Sequence, residues 1–246
     1  MIASLPMYDR AETAQANDRL WQGIRAELGY GPEALTRDSA EMYDWLSPDL
    51  VLSQTCGYPY RAGLHGKVKL VGTPDYGLKD CPPGYYYSAL VARADDPRRE
   101  LQEFAEAPMA YNSAGSQSGW AAPQNHAAEM GFCFGNCHAT GGHRASGLAV
   151  AEGRADIAAI DGLSWKLFAR YDDFAKDLRI IARTTPTPTL PYITALNRDA
   201  DEIFSAMTRA INSLSPQDRD ALHLKGLVAI PAEDYLAVPN PPAPVP

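Results

Sequence analysis

The chain is short of positive charge, poor in sulfur and without a long apolar run. Its 22 Lys and Arg are outnumbered by 30 Asp and Glu, for a formal net charge of −8. No window clusters the basic residues as a row of phosphates would require, which argues against nucleic acid as a partner. An acidic chain can still bind a small anion through local backbone dipoles and hydroxyls. The apolar runs fall far short of the roughly 20 residues that cross a bilayer, so no transmembrane segment is expected.

Cysteine is scarce as well: Cys56, Cys81, Cys133 and Cys137 are the full set. The CxxxC of Cys133 and Cys137, with His138 beside it, lacks the second spaced pair of a zinc site, so no metal is expected. Spacing alone leaves disulfides and plain thiols both open. The opening MIASLPMYDRAET has neither a basic n-region nor an apolar h-region and does not read as a signal peptide. A removed leader and a cytosolic protein both remain open.

What is present is ordinary globular composition, 46% apolar and 21% charged, which suggests neither disorder nor a membrane protein. A chain of 246 residues allows one large domain or two lobes of roughly 100 residues each. The pattern predicts a strand at Ile2 to Pro6, then a helix over Ala14 to Leu28, where Leu20, Trp21, Ile24 and Leu28 recur at helical spacing and Gly29 and Gly31 follow. A strand at EALTR, a short helix over SAEMYDWL, and strands at LVLSQ and KVKLVGT complete a β-α-β-α-β series, read as an α/β layer with a mainly parallel sheet.

After CPPG, YYYSALVA from Tyr85 to Ala92 predicts a long strand, and a second α/β series opens. It comprises a helix over PRRELQEFAEA, a strand near MAYN, the loop and helix at GSQSGWAAP, and a strand near FCFG. A helix from His143 to Glu152, the strand ADIAAID and a helix over LSWKLFARY follow. Beyond Arg183 the proline-rich TTPTPTLPYITAL reads as an extended crossing, followed by a helix over Asp201 to Leu214. A last helix is opened by SPQD, with Ser215 as N-cap and Pro216 at its first position. The tail PNPPAPVP can be neither helix nor central strand and is expected to be loose or draped.

Two clusters of small and hydroxyl residues stand at helix starts. In GSQSGW, Ser116, Gln117, Ser118 and Gly119 can present amides and hydroxyls to a ligand oxygen, although an ordinary serine cap has the same pattern. In TGGHRAS, His143 and Ser146 share a helix face, while Gly141 and Gly142 let backbone come close to a ligand. The strand ADIAAID then delivers Asp161 at its carboxyl end, where open α/β sheets bind ligands. Asp161 as a plain helix cap is the competing reading. As a ligand it would accept from a protonated phosphoryl oxygen or an ammonium, favouring a monoprotonated or zwitterionic anion.

The SxSG of Ser116, Ser118 and Gly119, followed by TGxHxxSxxAVxxGxADxAAIDxxxW from Thr140 to Trp165, resembles the type II periplasmic binding proteins of the phosphate, phosphite and phosphonate group. QTCGYPY and YYYSALV are further family-like segments. The resemblance implies two α/β lobes with mixed sheets flanked by helices, residues 1–87 with 195–246 and residues 88–194, joined by two crossing strands. It implies a solute-binding protein that takes a small oxyanion in an interlobe cleft for an ABC importer, in the periplasm and without a cofactor. Ser116, Ser118, His143 and Asp161 would coordinate the anion, with Gln117, Gly119 and Ser146 beside them, and Tyr8 and Tyr58 would close over it from the first lobe. Gln117 departs from the group, whose phosphonate binders carry a hydroxyl residue there, so the ligand is not fixed as a simple phosphonate. Cys56 and Cys81 each border a strand of the first lobe and are the candidate disulfide. A cytosolic biosynthetic enzyme or a ligand sensor on the same fold is the alternative. As an enzyme it would offer His143 as acid or base, with no partner at nucleophile or metal spacing.

Overall fold

The computed structural model describes residues 1–38 and 41–244. In chain order, β1 (Ile2–Ser4) leads to α1 (Ala14–Leu28), α2 (Glu41–Trp45), β2 (Leu50–Gln54), α3 (Gly57–Pro59) and β3 (Val68–Asp75). The strands β4 (Tyr85–Tyr86), β5 (Ser88–Arg93) and β6 (Met109–Tyr111) follow. A π-helical turn over Gln117–Ala121 runs directly into α4 (Ala122–Glu129). Then come β7 (Cys137–Ala139), α5 (His143–Ala151), β8 (Ile157–Asp161), α6 (Gly162–Tyr171), β9 (Leu178–Arg183) and β10 (Thr187–Pro188). The chain finishes through β11 (Tyr192–Ala195), α7 (Ala200–Ser213), α8 (Pro216–Leu222), β12 (Gly226–Val228) and α9 (Ala232–Leu236). It divides into two compact units, Met1–Tyr85 with Pro188–Ala237, and Tyr86–Thr187 with Val238–Pro246.

Unit 1 is built on a mixed sheet of order β1-β2-β11-β3-β12 among the described residues. β1 runs parallel to β2, but β11 is antiparallel to both β2 and β3, and β12 is antiparallel to β3. The sheet is therefore not the mainly parallel layer that the first half of the sequence suggests, because returning strands from beyond residue 190 complete it. α1 packs against α7, burying Leu20, Trp21 and Ile24 of one helix and Ile203, Met207 and Ile211 of the other. α1 ends as its glycine predicts: Gly29 takes φ 74° and its N–H donates to the Arg25 carbonyl. α8 has the expected cap, with Ser215 Oγ accepting from the Asp218 N–H at 3.1 Å. EALTR is not a strand. There the chain makes a single backbone bond, Thr36 N–H to the Ala3 carbonyl at 2.7 Å, without a ladder. The first two residues of the SAEMYDWL helix, Ser39 and Ala40, lie outside the described residues.

Unit 2 carries a second mixed sheet, of order β7-β6-β8-β5-β9 among the described residues. β6 is parallel to β7 and β8, while β5 is antiparallel to β8 and β9. The run YYYSALVA is broken at Tyr87 into β4 and β5. PRRELQEFAEA forms only a 3-10 turn at Leu101–Phe104. Its approach is fixed by Asp96, whose carboxylate accepts from the Arg98 N–H at 2.9 Å, and Pro108 prevents a longer helix. The strand expected at FCFG, residues 132–135, forms instead at β7, which begins five residues after Phe132, because Phe134 is a core anchor whose backbone is clamped by Gln124. The Gln124 side chain accepts from the Phe134 N–H at 3.1 Å and donates to its carbonyl at 2.9 Å. The chain from Val238 to Pro244 is grouped with unit 2. Asn125 Nδ2 donates to the Pro239 carbonyl at 2.9 Å and Trp120 Nε1 to the Pro242 carbonyl at 3.0 Å.

Candidate functional site

The register of β6 with β7, Tyr111 opposite Ala139, brings the loops that leave both strands to the same edge of the unit 2 sheet. Two bonds extend the pairing beyond the strands: Thr140 N–H donates to the Tyr111 carbonyl at 2.8 Å and Gly141 N–H to the Asn112 carbonyl at 2.9 Å. Gly141 sits at φ 88°, a conformation that disfavours any side chain with a Cβ. The GSQSGW and TGGHRAS segments therefore start their helices side by side.

In the first segment Ser116 caps the π-helical turn, its Oγ accepting from the Gly119 N–H at 3.0 Å. Its carbonyl accepts from both Trp120 and Ala121 at 3.3 and 3.0 Å. Ser118 Oγ lies 2.8 Å from His143 Nε2 at the start of α5 and 3.5 Å from Ser116 Oγ. Gln117, Ser118 and Gly119 are all buried. The turn is packed so closely that a Cβ on Gly119 would stand 1.9 Å from Asn112 Oδ1.

The second segment has no side-chain cap, since Gly142 holds the N-cap position of α5. Its first-turn amides thus have the unsatisfied donors and dipole of a bare helix start. Burial pushes the His143 imidazole down to about 4, and the Ala159 carbonyl, which favours the charged ring, does not offset it. The ring is neutral at pH 7, so one nitrogen donates and the other accepts. Ser146 is inward but occupied: its hydroxyl lies 2.7 Å from Thr140 Oγ1 and donates to the Gly142 carbonyl at 3.2 Å.

Asp161 ends β8 and is the N-cap of α6, Oδ1 accepting from the Ser164 N–H at 2.8 Å. It is 2% exposed. Opposite it across the antiparallel pair stands Ser88 of β5, which places the two side chains on one face of the sheet. The Ser88 hydroxyl is buried without a protein partner. Sequence reasoning passes over Ser88, Asn112 and Thr140. Thr140 carries a signal in TGG as the residue before the glycines, whereas the importance of Ser88 and Asn112 depends on strand pairing that local sequence does not show.

Tyr8 and Tyr58 belong to unit 1. Tyr8 meets Tyr76 edge to face at 5.3 Å between centroids, and the Arg61 guanidinium lies 4.9 Å above the Tyr58 ring. Cys56 and Cys81, the expected disulfide pair, both lie in unit 1. Each of the pair is held in its own turn, Cys56 accepting from the Tyr60 N–H and Cys81 donating to the Leu78 carbonyl. Among the described residues, no group of three or more His, Cys, Asp or Glu could hold a metal ion. Cys137 is half-buried, its thiol pushed up to about 11 by desolvation, and its Sγ donates to the Phe134 carbonyl at 3.3 Å.

Residues 2–235 match the family model of the ABC transporter, phosphonate, periplasmic substrate-binding protein. The chain belongs to this family of phosphonate-transporter binding proteins. Its fold is shared with PhnD1 of Prochlorococcus marinus, solved with methylphosphonate, at a TM-score of 0.74 and 13% identity, covering 95% of this chain and 94% of that one. A binding-protein component of an ABC phosphonate transporter from Pseudomonas aeruginosa matches at a TM-score of 0.69 and 14% identity, covering 96% and 82%. A Xanthomonas citri protein bound to chloride matches at 0.71 and 15% identity, covering 96% of each chain. No curated protein sequence gives a significant match. Members of the family bind a small-molecule solute for a transporter and are not enzymes. The family is periplasmic, and among the described residues no helix is long and apolar enough to cross a membrane.

Proposed function

We propose that this family member captures a small phosphonate or phosphonate-like oxyanion at the unit 2 cradle and delivers it to an ABC importer. The observation that carries the reading is the 2.8 Å contact between Ser118 Oγ and His143 Nε2. It joins two helix starts, 25 residues apart in sequence, into one set of hydroxyls and amides. An anion recognised there is held by oriented dipoles and neutral donors, which suits a chain of net charge −8. Asp161, with Ser88 opposite, supplies an acceptor for a protonated oxygen or an ammonium and favours a monoprotonated or zwitterionic ligand.

Calorimetric titration with phosphate, phosphite, methylphosphonate and aminoethylphosphonate tests this, using the wild type, Ser118→Ala and His143→Ala. Each variant loses a hydrogen bond to a charged group, worth about 1.5–3 kcal/mol, so affinity should fall by tens-fold. Unchanged affinity in both variants would return the two segments to ordinary helix starts. No binding of any of the four anions by the wild type would refute the ligand class.

A further inference from the structure

The tail Val238–Pro244 has a role in the structure that its composition conceals. It follows α9, which unit 1 holds through Tyr235: the Tyr235 hydroxyl donates to the Thr189 carbonyl at 2.8 Å and lies 2.6 Å from Thr73 Oγ1. Beyond Ala237 the chain is grouped with unit 2. Proline fixes φ and carries no N–H, so a proline-rich segment is stiff and offers mainly carbonyl acceptors. Unit 2 presents two matching donors, Trp120 Nε1 to the Pro242 carbonyl at 3.0 Å and Asn125 Nδ2 to the Pro239 carbonyl at 2.9 Å. An indole N–H can only donate.

Trp120 is also part of the cradle. It lies in the π-helical turn two residues after Ser118, is 4% exposed, and packs on Tyr111 with ring centroids 5.0 Å apart. Its backbone N–H reaches the Ser116 carbonyl at 3.3 Å. The Tyr111 carbonyl in turn accepts from both the N–H and the hydroxyl of Thr140, at 2.8 and 3.1 Å. One buried indole thus touches the tail at its nitrogen, the end of β6 at its ring and the serine turn through its backbone.

We propose that Val238–Pro244 is a strap that positions the anion cradle through Trp120, so that its loss loosens the turn bearing Ser116 and Ser118 and weakens ligand binding. The ligand half of this rests on the reading of the cradle given above. A stiff strap suits such a role because little chain entropy opposes its docking.

The test compares the full chain with a protein ending at Ala237 and with Trp120→Phe, which removes the indole N–H and keeps an aromatic ring. Amide hydrogen exchange is followed by mass spectrometry in unliganded protein. In both variants the peptide covering 113–121 should exchange about tenfold faster, the scale set by one hydrogen bond, while α1 and α7 stay unchanged. Methylphosphonate affinity should fall by about the same factor. Unchanged exchange at 113–121 overturns the strap, as does uniform acceleration through α1 and α7, which would mark general destabilisation. Loosened exchange with unchanged methylphosphonate affinity overturns the link to binding. Failure of the full chain to bind any of the four anions refutes the ligand reading, and exchange alone then decides the bracing.

Discussion

Acidification should destabilise this protein through His143 before its carboxylates respond. The imidazole is held at about 4 by burial, against an ordinary value of 6.5. Between those values the unfolded chain binds a proton that the folded chain refuses, so stability rises with pH across the window. The contribution is complete above the unfolded value and lost as pH falls towards the folded one. Going from pH 7 to 4.5 with this shift costs about 2 kcal/mol from this one residue. Asp96, held down to about 2 by the Arg98 guanidinium, contributes in a lower window, lost only as pH falls from about 4 towards 2. Urea unfolding of the wild type and His143→Gln, each at pH 7 and 4.5, isolates the term. The wild type should lose about 2 kcal/mol more than the variant on acidification. Equal losses, or an NMR titration of the His143 ring with a midpoint near 6.5, would refute the claim that the cradle holds a neutral imidazole.

Arg98→Met should destabilise unit 2 by about 2–4 kcal/mol, because it strips a buried carboxylate of its partner. Arg98 lies 2.6 Å from Asp96, which is 4% exposed, and 2.7 Å from Asp156. Denaturant unfolding at neutral pH measures the loss, and the acid limb below pH 4 should flatten as the Asp96 shift disappears. Gly119→Ala should disturb the serine turn, since the new methyl would meet Asn112 Oδ1 at 1.9 Å and the Asn112 backbone nitrogen at 3.2 Å. Calorimetry should show affinity reduced about tenfold or more, with partial recovery when Asn112→Ala is added; an affinity equal to wild type would mean that the turn yields freely.

Elements whose signals are local were legible in the sequence. The bounds of α1, the serine cap and first-position proline of α8, and the series α5, β8, α6 follow from spacing, capping and breakers within a few residues. The failures share a cause in tertiary contacts. FCFG reads as strand because its two phenylalanines bracket Cys133, yet Phe134 is buried as a loop anchor while β7 forms at Cys137–Ala139, where His138 and Ala139 are exposed. EALTR has strand composition, yet it meets the edge strand β1 only through the bond from Thr36 N–H to the Ala3 carbonyl and builds no ladder on it. β9 carries only a weak sequence signal: it is a half-exposed edge strand whose two arginines interrupt the apolar run, and its partner β5 lies more than 80 residues earlier.

The candidate site divides along the same line. That GSQSGW and TGGHRAS begin helices is written in their serines and glycines, and this much of the proposed anion site can be read without a structure. That Ser118 and His143 touch cannot be, because it depends on how β6 and β7 are registered. A shift of one residue in that pairing would point alternate side chains to the opposite face and break the bonds from Thr140 and Gly141 to Tyr111 and Asn112. The register is held away from the cradle, by Met109 opposite Cys137 in the strands and by Gln124 clamping Phe134 just before β7. Residues outside the proposed cradle therefore decide whether it forms. Changes at Gln124 should weaken binding through register, whereas changes at Ser118 should weaken it directly.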